Sequence, residues 1–180
     1  MTSIRGDPSD AAIIVPRSEA GNGTHAQIIT FSRLGNAVAT LQTTLASTLS
    51  LSRRSPAVSM ALPNSPELVV CFLAVAAQRG IAAPLNPAYS QKEFEYYIGD
   101  LGSALVLAPR GAVASKAAVV VAARRHGAAI AEVWWDRLEM TVGIEVMEWG
   151  RVPGVGPQRV NGEDVAVAEP GDVALVLHTR

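Results

Sequence analysis

The sequence has little of what several classes of protein require. Only one of its 180 residues is a cysteine, Cys71, so no disulfide can form within the chain and we expect an intracellular protein. Fifteen basic residues against sixteen acidic ones give a net charge of −1, without the basic excess that binding to nucleic acid requires. The longest apolar run, Leu68 to Ala77, is about half of the ~20 residues that a membrane span needs. We therefore expect no nucleic acid partner and no membrane span.

Complete catalytic motifs are also missing. The sequence has no Walker A loop and no Gly-x-Ser-x-Gly elbow, and its three histidines lack metal-ligand spacing. Residues 21–26 match the dinucleotide pattern G-x-G-x-x-A, but strand-like residues follow where that pattern requires a helix, so we interpret them as a hairpin turn. Cys71 is interpreted as a core thiol. The motifs thus predict no catalytic residue and no metal site.

Two paired features have structural interpretations. The tryptophans at 134 and 135 are expected to pack at a sheet edge, and less so to stack on a cofactor. The Arg-Arg pairs at 53–54 and 124–125 are expected at helix ends, as solvated caps that interact favourably with the helix dipole.

The composition is typical of a globular protein, with 49% of the residues hydrophobic. Patterns typical of strands and of helices alternate along the sequence. Apolar runs bounded by Gly and Pro predict strands, and apolar residues every three or four positions predict helices. The predicted strands are 11–15, 27–30, 57–62, 81–85, 104–108, 128–134, 141–149 and 173–177; the predicted helices are 68–78, 94–101, 113–125 and one that begins at Phe31. This order predicts an α/β fold, an incomplete doubly wound and mostly parallel sheet with covering helices.

Several local patterns refine that prediction. Ser65 is suited to cap the helix 68–78, and Gly80 to end it. Ser90 and Glu93 have the spacing of a capping box, with Gly102 at the other end of the helix. We expect residues 58–60, 81–83 and 105–107 to form neighbouring strands. The uniformly apolar residues 173–177 predict a strand buried on both faces, and residues 150–164, rich in Pro and Gly, predict a surface loop.

Three segments match motifs of a known superfamily. Residues 29–34 (Ile-Thr-Phe-Ser-Arg-Leu) resemble its motif Leu-Thr-Tyr-x-Glu-Leu, with Arg in place of Glu, and residues 62–67 (Leu-Pro-Asn-Ser-Pro-Glu) resemble Pro-Asn-Ser-x-Glu. Residues 78–87 resemble Lys/Arg-Ala-Gly-x-x-x-x-Pro-Leu-Asn-Pro. In this order and spacing they make the chain similar to the adenylate-forming superfamily of AMP-dependent synthetases and ligases. Residues 83–97 are most similar to its oxalyl-CoA synthetase branch, which includes peroxisomal acyl-CoA synthetases.

The resemblance implies that residues 1–180 are the N-terminal portion of an AMP-binding domain. In the complete family a carboxylate attacks Mg·ATP to give an acyl-adenylate, and the CoA thiol then displaces AMP. His178 and Thr179 would flank the loop that grips the ATP phosphates, although Arg180 stands where that loop has its first Ser. The loop and the catalytic Lys are absent from the sequence, so this chain alone is expected to be inactive and to bind no cofactor. A truncated gene model, splice form or pseudogene would explain such a fragment.

A non-catalytic α/β module that binds a partner or regulates a related enzyme is the alternative. An independent small-molecule enzyme is weaker, because no acid–base or nucleophile set is present. The resemblance also implies a small carboxylate, such as oxalate or a fatty acid, as substrate, and the cytoplasm or peroxisome as the compartment, with no targeting signal visible. An uncovered strand at 173–177 would favour self-association and low solubility, so a chain ending before Glu169 is expected to associate less and to be more soluble.

Overall fold

The computed structural model describes residues 7–16, 26–49, 55–151 and 165–177, and these form the predicted α/β architecture. In chain order the elements are β1 (Ala11–Val15), β2 (Gln27–Thr30), α1 (Phe31–Leu49), β3 (Ala57–Met60), α2 (Pro66–Ala77), β4 (Ile81–Pro84), α3 (Gln91–Leu101), β5 (Leu105–Pro109), α4 (Ala118–His126), β6 (Ala129–Asp136) and β7 (Thr141–Glu148). The first two strands form an antiparallel hairpin, as predicted. The turn predicted at 21–26 lies, except for Ala26, outside the described residues.

The other five strands form one sheet in the order β4-β3-β5-β6-β7. The first four run parallel, and β7 pairs antiparallel with β6 at the edge. Val58 of β3 lies between Ala82 of β4 and Leu105 of β5, so the three predicted neighbours are confirmed. This order arises because α2 carries the chain to one side of β3, and α3 then carries it back to the other side.

Helices cover both faces of the sheet. Leu105 and Leu107 of β5 pack in one apolar core with residues of α1 and α2, whereas Val106 and Ala108 pack in a second core with residues of α3 and α4. The side chains of a strand alternate between the two faces, so each central strand contributes to both cores. The doubly wound arrangement is therefore confirmed, with α2 and α3 covering opposite faces.

Some helix ends have the capping residues that the sequence predicts, and one does not. Ser90 and Glu93 form the predicted capping box, and Gly102 ends α3 with a φ of 57°. Gly80 was expected to end α2, but Arg79 takes the left-handed conformation there, with a φ of 64°. Gly80 is required for close packing instead, because a Cβ on it would lie 2.9 Å from Cγ1 of Val75.

Two serines before helices provide a matched test of capping. The hydroxyl of Ser90 accepts the Glu93 N–H, whereas Ser65 makes no such bond and its hydroxyl is buried without a partner among the described residues. Ser90→Ala should lower the free energy of unfolding by about 1 kcal/mol. Ser65→Ala should lower it by much less, since no bond is lost. Urea denaturation of both variants measures the difference, and equal losses would contradict this account.

The predicted start of α4 was wrong. The helix was expected from Val113, but it begins at Ala118, and turns occupy the residues between. Lys116 has a φ of 54°, and the N–H groups of Gly111 and Val113 bind a distant carboxylate rather than a helical carbonyl. The local apolar spacing is helical, but this long-range contact holds the backbone in another conformation.

Other expectations need correction. The tryptophans at 134 and 135 lie on β6, which is an interior strand because β7 pairs outside it. Arg124 and Arg125 do lie in the last turn of α4 and are largely exposed, as expected, but they also form ion pairs with Glu148 and Glu95. The Arg pair at 53–54 lies outside the described residues, as does the loop predicted at 150–164 except for its first two residues.

Candidate functional site at the carboxyl edge of the sheet

The parallel strands β3, β4, β5 and β6 all end at the same edge of the sheet. The connections after β3 and β5 pass to opposite faces, since α2 and α4 lie on different sides. In open α/β sheets ligands bind outside the carboxyl ends of the strands, at the point where the connections diverge in this way. We call this region, formed by residues 61–65, 85–90 and 110–117, the carboxyl edge.

The loop after β3 carries a hydroxyl that has no hydrogen-bond partner among the described residues. Hydrogen bonds from Leu85 N–H to the Met60 carbonyl (2.9 Å) and from Ala61 N–H to the Leu107 carbonyl (3.0 Å) continue the sheet ladder past the strand ends. They fix the start of the loop that ends at Ser65. Because a buried hydroxyl is normally paired, Ser65 is a candidate ligand-contacting group.

A buried carboxylate holds the loop after β5. Glu132 of β6 is only 6% exposed and accepts hydrogen bonds from the N–H groups of Gly111 (2.9 Å) and Val113 (2.7 Å). Beside it, the guanidinium of Arg110 lies 4.3 Å from the ring centroid of Trp134, a cation–π arrangement. This contact places one cation at the carboxyl edge. Sequence reasoning missed both features, although a lone Glu within an apolar strand was a usable indication.

The loop after β4 is fixed by aromatic packing. The Oδ1 atom of Asn86 accepts the N–H of Ala88, which closes a tight turn. The ring of Tyr89 then packs on Phe94 and Tyr97, with centroids 5.8 and 5.1 Å apart. The three loops of the edge are thus held by different interactions.

Cys71 lies away from this edge, on the face of α2 that packs into the core. Its side chain is fully buried, and this burial raises the pKa of the thiol well above its ordinary value. A thiol that stays protonated is a poor nucleophile and a poor metal ligand. The interpretation of Cys71 as a core residue is therefore confirmed.

A final segment, residues 165–177, lies along the β4 side of the sheet, and we call it the edge segment. Its backbone bridges β4 in the parallel direction through Ala82, whose N–H donates to the Ala174 carbonyl and whose carbonyl accepts the Val176 N–H, both at 3.0 Å. The segment therefore runs toward the carboxyl edge. Leu177 is its last described residue, so His178 and Thr179 lie outside the described residues.

A side chain of α1 and those of the two residues that follow α2 anchor the edge segment. Gln42 of α1, itself buried, donates to the carbonyls of Ala77 and Ala166, and Gln78 accepts the Ala166 N–H. Arg79 forms ion pairs with Glu169 (2.7 Å) and Asp172 (2.9 Å). Buried amides that bind backbone groups fix a segment firmly, because breaking the bonds leaves polar atoms unpaired.

The prediction of a fully buried strand at 173–177 was wrong. The segment makes one bridge only, and Val173, Leu175 and Leu177 are 52%, 40% and 60% exposed. The physical reason is position, since it lies at the sheet edge and no described element packs on its outer side.

The docking of the edge segment on β4 should depend on pH. The pKa of Asp172 is below its ordinary 3.8, chiefly because its carboxylate accepts the Glu169 N–H and also binds Arg79. A lowered carboxyl pKa stabilises the docked state above the ordinary value, and that contribution is lost as the pH falls through the lowered value. The amide NMR signals of Ala82 and Val176 should therefore stay constant from neutral pH down to about 4 and shift below it.

Asp172→Asn is the control for that titration, because it keeps the shape of the side chain and removes the charge. In this variant the low-pH shift of the two amide signals should disappear. The amide of Ile130, in the interior of the sheet, should not move with them in either protein. An unchanged titration in Asp172→Asn would contradict the assignment.

Comparison with known proteins shows to which family this fold belongs. A family model described as "AMP-binding enzyme" matches residues 3–179, nearly the whole chain. The chain belongs to the AMP-binding enzyme family. A probable CoA ligase from Humulus lupulus is 35% identical over 129 residues, 68% of this chain and 22% of that protein. An oxalate–CoA ligase from Saccharomyces cerevisiae is 28% identical over 141 residues, and one from Arabidopsis thaliana 34% over 124 residues.

Solved structures show the same fold at lower identity. The crystal structure of IdnL1 aligns with 94% of this chain and 29% of its own, with a TM-score of 0.62 and 18% identity. ATP-bound MatB from Rhodopseudomonas palustris aligns with 69% of this chain and 23% of its own, with a TM-score of 0.51 and 22% identity. The chain spans about a quarter of the length of the curated relatives it matches. Among its described helices, none has the length and apolar character needed to cross a bilayer.

Proposed function

We propose that this chain supplies the N-terminal part of the large domain of an AMP-forming acid–CoA ligase. The complete enzyme would convert a carboxylate, ATP and CoA into acyl-CoA, AMP and pyrophosphate. The family match over residues 3–179 carries the proposal. The doubly wound sheet supports it, because its parallel strands end at one edge where a ligand would bind.

The role of the described residues would be that of a scaffold. A phosphate-binding loop acts through backbone N–H groups that are held in place before the ligand arrives, so it needs a firmly fixed strand in front of it. The edge segment is fixed by Gln42, Gln78 and Arg79, and it runs parallel to β4. We propose that it directs the residues after Leu177, including His178 and Thr179, toward the carboxyl edge.

ATP, Mg²⁺ and CoA belong to the proposal for the complete enzyme only. At the carboxyl edge the described residues offer an unpartnered hydroxyl on Ser65 and a guanidinium on Arg110. The described part of the chain contains no group of three His, Cys, Asp or Glu residues that could hold a metal ion. These residues do not fit a magnesium nucleotide by themselves, so we assign them no catalytic step.

Oxalate is the first acid to test. Two of the curated relatives are named oxalate–CoA ligases, and the similarity extends over about 70% of this chain. A fatty acid is the second candidate. The compartment would be the cytoplasm or the peroxisome.

The DNA that follows the Thr179 codon tests the proposal most directly. In any frame, or after an intron, it should encode a Ser-Gly-Thr-Thr phosphate loop and a later catalytic Lys. The protein extended in this way should release AMP only when oxalate or a fatty acid, ATP and CoA are all present, and assays that omit one reactant serve as controls. DNA without such a loop, or an extended protein inactive on the acid panel, would favour the non-catalytic binding module.

A further inference from the structure

A second place on the molecule has the features of a binding site. A groove of about 260 Å³ lies between the start of α1 and the turn that joins β6 to β7. Arg33, Asn36 and Thr40, which share one face of α1, form one wall. Glu139 and Thr141 contribute polar groups to the other wall. We call this the α1–hairpin groove.

The groove contains polar groups whose bonding is incomplete. Among the described residues, neither Arg33 nor Glu139 takes part in an ion pair, and the Arg33 guanidinium contacts the Met140 sulfur instead. The Thr141 hydroxyl is buried and has no hydrogen-bond partner in the described part of the chain. Two opposite charges and an unpaired hydroxyl around one space are groups that a ligand could satisfy together.

The turn also offers apolar surface. Leu138 lines the groove and is 93% exposed, an unusual exposure for a leucine. Met140 beside it has a φ of 49°, a conformation that costs free energy for a residue other than glycine. Strained residues of this kind are often found where a backbone is shaped for a ligand.

We propose that the α1–hairpin groove binds a small zwitterion with an apolar side group, in the chemical class of the apolar α-amino acids. The ligand's carboxylate would pair with Arg33 and accept a hydrogen bond from Thr141. Its ammonium group would pair with Glu139, and its apolar group would pack on Leu138. Because ligand charges of both signs are satisfied, the groove should discriminate against a simple anion or a simple amine.

The charge of the groove depends on this chain's own sequence. Residues 29–34 resemble a motif that carries Glu at the position of Arg33. A Glu there would place two carboxylates around the groove and no cation among the lining residues that the structure describes. Such a groove would repel a carboxylate, so the proposed preference arises from Arg33.

Three ligands of one shape test the proposal on the 180-residue protein. L-phenylalanine has both charges, 3-phenylpropionate lacks the ammonium group, and 2-phenylethylamine lacks the carboxylate. NMR titration should show that L-phenylalanine shifts the amide signals of residues 33–40 and 138–141. The other two ligands should bind at least about tenfold more weakly than L-phenylalanine, since each loses one charge-assisted interaction.

Variants that each remove one charge from the groove test which residue binds which end of the ligand. Arg33→Gln and Glu139→Gln should each weaken L-phenylalanine binding about tenfold or more, and Glu139→Gln should remove the preference over 3-phenylpropionate. Arg137→Gln is the matched control, because it removes a charge from the same turn but does not line the groove. Thermal melting shows whether each variant is folded; if one is not, the other variant and the three-ligand comparison decide. No shift with millimolar L-phenylalanine, or equal binding of all three ligands, would overturn the proposal.

Discussion

A protein of these 180 residues will not exchange labelled pyrophosphate into ATP in the presence of oxalate. Formation of an acyl-adenylate requires groups that neutralise the phosphates and hold the nucleophile in line. The sequence contains no phosphate loop with its Lys, and Ser65 and Arg110 at the described carboxyl edge do not replace that loop. Most of the ~8 kcal/mol or more of barrier lowering that an enzyme supplies therefore has no source.

Paired assays make this expected absence of activity informative. The extended protein, assayed under the same conditions, is the positive control, and a reaction without oxalate gives the background. If the 180-residue protein does show acid-dependent exchange, Ser65→Ala and Arg110→Gln identify its origin. Loss of exchange in either variant would show that the described edge performs chemistry by itself. Exchange unchanged in both would also contradict the prediction, provided that it survives a second purification step.

Much of the fold could be predicted because the relevant patterns are local. The capping box at Ser90 and Glu93 needs only residues of one helical turn, and the structure has it. The alternation of strands and helices was sufficient to place β3, β4 and β5 as parallel neighbours. In these segments propensity, capping and burial favour the same structure, which is the condition for reliable prediction.

The errors arise where distant residues decide the backbone. Residues 113–117 have helical spacing, yet Glu132 binds the N–H groups of Gly111 and Val113 across about twenty residues of sequence. No local pattern contains that information. Arg79 has a left-handed φ next to Gly80, and it points to acidic groups some ninety residues away. Gly80 is instead required because a side chain at that position would be too close to Val75.

The candidate site was only partly predictable. A parallel sheet implies a carboxyl edge, so its general place follows from the predicted topology. The cation–π pair of Arg110 and Trp134 depends on packing between a loop and a strand that is distant in sequence. The Ser65 hydroxyl, unpaired among the described residues, depends on the packing around its loop. His178 and Thr179 came from family resemblance alone and remain predictions.

The 180-residue protein will self-associate through the outer side of its edge segment. Val173, Leu175 and Leu177 alternate along the edge segment, and each is about half exposed. Fully burying a Val or Leu side chain contributes about 1.5–3 kcal/mol, so the exposed halves of the three together can contribute about 2–4 kcal/mol to association. Unpaired backbone groups at a sheet edge add to this tendency.

Substituting these three residues with threonine should reduce association while preserving the backbone bridge to β4. Threonine is β-branched and favours extended backbone, so the bridge at Ala82 should remain. Size-exclusion chromatography should show the parent protein above 18.9 kDa and the triple variant at that mass. Ile14→Thr with Ile28→Thr is the matched control, because these side chains are 63% and 53% exposed on the β1–β2 hairpin. This double variant should associate like the parent.

A chain ending before Glu169 distinguishes association from stability. It lacks the three apolar side chains, so it should associate less than the parent, as the sequence predicts. It also leaves Arg79 without its two acidic partners and the Ala82 N–H without its acceptor. Its melting temperature should therefore fall below that of the threonine variant. If the parent is monodisperse and melts cooperatively, and neither change improves it, the chain is a self-sufficient domain, which would favour the binding-module alternative over a ligase fragment.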